Sequence, residues 1–592
     1  MNALRATYES LPPSWTSGTG RWEKYVSGRA VFPLIALGLL LASACRPGDP
    51  AGGSAEQQSP APRQSRTLVL ISGAELPSFA PKPLTPEASS ARAGIGKATL
   101  NALLVYNDIQ GVPQPFLADA LPQLDTDTWR VASDGKMETY YRLKPDLTWH
   151  DGQALTAEDF VFAHQVYATP EFGVAESAGF RSIEQVRALD GRTILISWKE
   201  RYFEAGQVAV ELPPLPRHIL QRPYQESPGT FIGLPYWTLD YVGLGPWKLE
   251  RREPGAFFEA RAFDGFVFGR PRIDRVRVMY QIDPNVVVAT MLAGEAHLTD
   301  SALLHGDDGM TLERAWTDSK AGVVQWTTDI GKVQEFQGRP EFAVPTQIAT
   351  DARVRQALAF AIDRVTLAEI CTAGKGLLRE IYSHPNADYY ESLLRAVPHR
   401  YPYDPRRAEQ LLLQAGFARG GDGGWRTPTG ERFTFAQYGL GGTTDEKDSA
   451  IIIESLSRFG IDATSHVFAT ARSSQEERAK ISGMLNGSNP LPDRYHSRNA
   501  AGPENRWTGA NRYGFVYPEL DGYIEGYLNT VDRSERIRNL AQMERIAMEQ
   551  MPAIPTYYHA VVIAHAASLK GVARNLLREG GTERMMWTWE WQ

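Results

Sequence analysis

DARVRQALAFAIDRVTLAEI, Asp351 to Ile370, spells two helices in immediate succession. Asp351 has the short acceptor side chain of an N-cap, and Val354, Ala357, Leu358, Ala361 and Ile362 recur at the spacing of one apolar helical face. Asp363 offers a second cap directly after that face ends. Taken alone this is any soluble helical pair, and its weight comes from what flanks it.

Upstream, Leu143 to Tyr167 reads LKPDLTWHDGQALTAEDFVFAHQVY: a strand, the turn dipeptide Asp151-Gly152, then a helix whose Thr156 and Asp159 match a capping box. Tyr241 to Leu249, YVGLGPWKL, places Gly243 and Gly245 ahead of a strand, where tight backbone geometry is needed. A third glycine and a following helix are missing, so this is no nucleotide-binding loop. Downstream, YDPRRAEQLLLQAGF puts Asp404 at an N-cap, Pro405 at the first helical position and Gly416 past the C-terminus. Phe433 to Gln437, Ser449 to Phe459 and Ile461 to Phe468 then predict strand, helix and strand, the pattern of a right-handed parallel βαβ unit. Ile537 to Met551 predicts an amphipathic helix stopped by Pro552, and Ile554 to His565 a terminal strand.

In this order, from about Thr67 to near the C-terminus, these segments resemble the extracytoplasmic solute-binding proteins of peptide-type ABC transporters, the family of dipeptide, oligopeptide and nickel receptors. The run W-H-D-G-Q-A-L-T-A-E-D-F-V-F is the most specific of them. The resemblance implies an α/β, two-lobed periplasmic-binding-protein fold of type II with an extra subdomain inserted in the first lobe. It divides the chain into first-lobe segments 67–104, 200–316 and 536–592, the subdomain 105–199 and a second lobe 317–535. It implies capture of a small solute, a peptide foremost, in the cleft between lobes. Delivery to permease subunits and, through them, ATPase subunits follows, with a monomeric receptor that binds no cofactor. The family's peptide receptors commonly carry a Trp-, Gly- and Asp-rich stretch where this chain has Gly483 to Pro492, GMLNGSNPLP. That departure keeps nickel chelates, opines and sugars open as ligands.

The chain of 592 residues, 43% hydrophobic and 22% charged, suggests three or four domain-sized units with ample core. Val31 to Ala44, VFPLIALGLLLASA, is an uncharged run too short to span a bilayer and follows Arg21, Lys24 and Arg29, which predicts a signal peptide over 1–44. Ala42-Ser43-Ala44-Cys45 resembles a lipobox, with Cys45 acylated and 45–66, rich in Pro, Gly, Ser and Gln, as a flexible tether. Translation is expected to start near Val26. Loss of 1–44 shifts the net charge from −7 to about −9, an acidic balance that disfavours nucleic acid. Cys371, the other cysteine, reads as a small buried hydrophobe.

The eleven histidines are scattered, with no H-E-x-x-H, C-x-x-C or G-x-S-x-G, and His559 and His565 share a strand without metal-ligand spacing. No metal site or catalytic group is assigned. A closing cleft needs aromatic walls and a few fixed polar groups. Tyr106, Asn107 and Asp108, after the apolar LLVY, are expected at its mouth, and Trp237 and Tyr241 are candidate walls. In DRYHSRNAAGPENRW, Asp493, Arg494, Arg498 and Trp507 are further candidates, the arginines for bidentate pairing with a carboxylate. The competing readings are an exported hydrolase centred on Cys371 or a histidine–carboxylate set, and a two-lobed scaffold without a specific ligand.

Overall fold

The computed structural model describes residues 67–82, 84, 94–172, 178–208, 212–300, 303–441, 443–468, 473–488, 493–573 and 582–592. Cys45 and the expected signal and tether segments lie outside them. The architecture rests on strands β1 (Thr67–Ser72), β2 (Trp129–Val131), β3 (Met137–Arg142), β4 (Ile183–Ala188), β5 (Thr193–Trp198), β6 (Trp247–Glu253), β7 (Phe257–Ala262), β8 (Arg275–Tyr280), β9 (Leu298–Thr299), β10 (Gly322–Phe336), β11 (Thr434–Gly439), β12 (Asp462–Val467), β13 (Met484–Ser488) and β14 (Ala553–Ala566). The helices that matter are α1 (Gly94–Leu100), α2 (Ala157–Tyr167), α3 (Pro284–Leu292), α4 (Gly306–Ser319), α5 (Ala352–Ala361), α6 (Arg364–Cys371), α7 (Pro405–Gln414), α8 (Thr443–Arg458), α9 (Pro518–Asn529) and α10 (Arg533–Gln550).

One sheet runs through both lobes in the order β12-β11-β13-β10-β14-β9-β1-β8-β7-β6, with the short strand Leu377–Leu378 added beside β14. Strands β10 and β14 are long enough to belong to both lobes and pair antiparallel along nearly their whole length. Their register slips between Thr328 and Val333, where Val333 faces Pro555, a residue with no amide to donate. A separate four-stranded sheet, β2-β3-β5-β4, forms the inserted subdomain. Its core merges with that of the first lobe: Tyr141, Phe160 and Trp198 pack in one apolar cluster with Leu70, Trp247 and Val276. The second lobe has its own core around Val354, Leu358, Leu411, Ile452 and Met543.

The helical caps form as their spacing predicts. Asp351 accepts from Arg353 N at 2.9 Å, Asp363 from Thr366 N at 3.1 Å and Asp404 from Arg407 N at 3.0 Å. Thr156 N donates to Asp159 Oδ2 at 2.8 Å, closing the capping box of α2. The two arginines of the capped pair are structural. Arg355, 4% exposed, donates to the carbonyls of Ile348, Ala349, Gln550 and Met551. Arg364, equally buried, donates to those of Arg379, Tyr401 and Pro555. Each guanidinium gathers carbonyl oxygens from segments far apart in sequence, ties α5 and α6 to the end of α10 and to β14, and satisfies acceptors that would otherwise be buried unpaired.

The W-H-D-G and G-L-G-P segments turn out to be partners. Gly243 N donates to His150 Nδ1 at 3.1 Å, His150 Nε2 lies 3.0 Å from Gly245 O, and Lys248 Nζ donates to His150 O at 2.8 Å. Gly243 and Gly245 lie against the end of α1, where a methyl group on either would overlap the Leu100 backbone. One boundary differs from expectation. Leu540, Met543 and Ile546 of α10 pack in the second core, so the chain returns to the first lobe within β14 rather than at residue 536.

Candidate functional site at the junction of the lobes

Strand directions locate the site. In the first lobe β14 runs outward from Ala560 to Ala566, and β9 pairs antiparallel with it at Leu298–His565, so β9 runs toward the junction. Strand β1 is parallel to both β9 and β8, and the three end there at Thr299, Ser72 and Tyr280. In the second lobe β13 is antiparallel to β10 and runs from Met484, opposite Phe336, to Ser488, opposite Lys332. Strands β11 and β12 are parallel to it and also finish at the junction. The carboxyl ends of parallel strands from both lobes therefore converge on the middle of β10 and β14. Open α/β sheets bind ligands outside those ends.

A buried polar network braces the second-lobe side. Gln437 Nε2 donates to Gln334 Oε1 at 2.9 Å, and Asn486 Nδ2 donates to Asp445 Oδ1 at 2.9 Å and Asp448 Oδ2 at 2.7 Å. Lys332 Nζ reaches Asp445 at 2.8 Å, and Tyr557 OH donates to Asp448 Oδ1 at 2.7 Å. Both long strands are thereby fastened to the first turns of α8. Burial, with Asp448 alongside, pushes the Tyr557 hydroxyl and the Cys371 thiol well above their ordinary ranges. Burial, with Lys332 and His305 nearby, keeps His559 neutral, its pKa well below 6.5.

Four buried polar atoms near these strand ends have no hydrogen-bond partner among the described residues: Tyr280 OH, Thr299 Oγ1, Gln437 Oε1 and Ser449 Oγ. Tyr280 and Thr299 are the last residues of β8 and β9, Gln437 is near the end of β11, and Ser449 Oγ lies beside Gly439. Sequence reading missed all four. Tyr280 and Gln437 belong to alternating strands, Thr299 to a two-residue strand and Ser449 to α8, and only strand order and direction place all four on the junction side.

Other contacts engage most of the residues singled out from sequence. Trp237 and Tyr241 are core residues of the first lobe rather than open walls: Trp237 Nε1 donates to Phe231 O at 2.7 Å, and Tyr241 OH donates to Asn101 Oδ1. Arg494 is already neutralised, with its NH2 2.9 Å from the buried Glu335 Oε1. Asp493 pairs at 3.7 Å with Arg181 of the subdomain, which makes it a contact between the lobes. Arg498 is exposed, and Trp507 receives Lys480 over its ring at 4.9 Å. Asp108 holds a turn by accepting from Gln110 N and Val112 N, next to Asn107 at the end of a three-residue strand. Tyr106 is half-buried in an aromatic cluster with Phe116, Phe268 and Trp587.

Residues 119–496 match the family model "Bacterial extracellular solute-binding proteins, family 5 Middle", which is more than half of the chain. The chain belongs to family 5 of the bacterial extracellular solute-binding proteins. Among its relatives is the oligopeptide-binding protein AppA of Bacillus subtilis, 23% identical over 553 residues that cover 91% of this chain and 94% of that protein. The solved structure of AppA in complex with a nonapeptide has a TM-score of 0.71 at 19% identity, covering 89% of this chain and 99% of that one. NikZ of Campylobacter jejuni, in complex with Ni(L-His), has a TM-score of 0.70 at 19% identity, covering 88% and 99%. The family 5 fold is thus two-lobed and α/β, as the sequence implied. Among the described residues no helix is long and apolar enough to cross a membrane.

Proposed function

We propose that this protein is the receptor of an ABC importer, capturing a peptide between its lobes outside the cytoplasm, held to a membrane by lipid on Cys45, and releasing the peptide unchanged to a permease. The observation that carries this reading is the convergence of strand carboxyl ends from both lobes on the strands the lobes share. A solute placed there touches both lobes at once, and only contacts made in the closed arrangement and lost in the open one can favour closure. Tyr280, Thr299, Gln437 and Ser449 are the polar groups such a solute would satisfy, with Asp493, Arg498 and Tyr106 at the periphery. The likeness to AppA supports a peptide, and the likeness to NikZ supports a metal chelate as the second reading.

Mass spectrometry of small molecules released from the purified protein, followed by thermal unfolding with each, tests the proposal. A bound peptide at about 100 times its Kd stabilises the native state by about 2.7 kcal/mol. Recovery of a chelate instead of a peptide moves the reading to the second class, and turnover of the released molecule by the protein overturns receptor function.

A further inference from the structure

We propose that the inserted subdomain carries a strap, the loop 199–204 with Phe203 at its tip, which holds the lobes together before any solute binds. Both flanks of the loop are fixed to the subdomain. Tyr202 stacks on Trp198 at 5.4 Å, and Trp198 Nε1 donates to Thr139 Oγ1 at 2.9 Å. Beyond the tip, Tyr141 OH donates to Ala205 O at 2.7 Å and accepts from Val208 N at 3.0 Å. Gly206 packs so closely on Trp129 that an added methyl would stand 2.7 Å from the ring. With both ends pinned, Phe203 projects away from its own sheet.

Its contacts are in the other lobe. The Phe203 ring meets Tyr527 of α9 edge-on at 5.2 Å, and the Arg536 guanidinium of α10 lies 4.2 Å from its centre. Arg536 is aimed there by donating to Val531 O at 2.6 Å. The exchange is reciprocal: Phe203 packs against the second-lobe core, while Val531, in the turn between α9 and α10, packs against the first-lobe core. Glu200 accepts from Asn529 at 3.5 Å beside the strap, and Arg181 meets Asp493 at 3.7 Å. An aromatic pair, a cation over a ring and two interdigitated apolar side chains are attractive without any guest molecule. On the receptor reading proposed above, these contacts favour the joined lobes before any solute arrives, and the solute selects among lobe arrangements that already exist.

The test uses nitroxide labels at Leu189→Cys in the subdomain and Leu413→Cys in the second lobe, both exposed, in the full chain carrying Cys45→Ser, with distances read by double electron–electron resonance without added ligand. One dominant short distance is expected. Phe203→Ala and, separately, Val531→Ala should each lower the closed-to-open ratio about tenfold and add a longer distance, whereas Phe203→Tyr, which keeps the ring, should keep the short one. Far-UV circular dichroism identifies a variant that fails to fold, and the other then decides. Unchanged distances in correctly folded Phe203→Ala and Val531→Ala proteins, or a broad open distribution in the parent, overturn the strap.

Discussion

Burial lowers the His150 pKa from 6.5 to about 4, because the ring sits inside the joint between two sequence motifs. Its neutral form is the one that fits: Nδ1 accepts from Gly243, which leaves Nε2 to donate to Gly245 O. The unfolded chain therefore takes up a proton first on acidification. Stability due to the neutral ring is complete above about pH 6.5 and is lost as the pH falls to about 4, a loss of about 3 kcal/mol in all. Urea unfolding at pH 7 and at pH 4.5 should show a smaller acid loss in His150→Gln than in the parent. A similar distinction separates two arginines two positions apart on α5. Arg355→Met removes a donor from four carbonyls, those of Ile348 and Met551 on buried residues, and should cost about 3 kcal/mol in urea unfolding. Arg353→Ala breaks an exposed pair with Asp351 and should cost less than about 1 kcal/mol.

At the scale of elements, the approach of the glycine segment to α1 fixes how the first lobe and the subdomain join. An added methyl at Gly245 would overlap the backbone at Leu100 and stand 2.6 Å from Thr99 O. Backbone cannot move aside as a flexible side chain can, so Gly245→Ala should destabilise by about 2–4 kcal/mol in chemical denaturation. Gly191→Ala, where nothing lies within 4 Å, should change stability by less than about 0.5 kcal/mol. Such joints also show what was legible in the sequence. The caps at Asp351, Asp363 and Asp404 and the βαβ unit from β11 to β12 could be read because each partner lies within a few residues or one supersecondary unit. Arg494 could not, since its Glu335 partner is 159 residues away and an arginine in a loop looks the same paired or free. Trp237 and Tyr241 have the bulk of a cleft wall, but that bulk serves a core equally well, and only packing separates the two uses. The candidate site at the strand ends was hidden for the same reason: that residues 72, 280, 299, 439 and 488 all close strands pointing at the junction follows from pairing order and direction, which local periodicity does not encode.

Over the whole molecule, the strands the lobes share must bend if the lobes are to move, and the network around Asp448 restricts where. Lys332 of β10 and Tyr557 of β14 are both bonded to α8, so those halves of the strands travel with the second lobe. On the far side, Val323 to Thr328 pair in unbroken register with Ala560 to His565 and travel with the first. The slipped register between Thr328 and Val333, opposite the amide-less Pro555, is where rotation costs the fewest hydrogen bonds. Hydrogen exchange followed by mass spectrometry should therefore show the amides of residues 329–331 exchanging faster than those of 323–328 and 332–336 in the same strand. Asp448→Asn weakens the hold on Lys332 and Tyr557 and should carry the fast-exchanging region into 333–336. Uniform protection along β10 would instead mean that the lobes do not turn about this point, and that any closure bends the chain elsewhere.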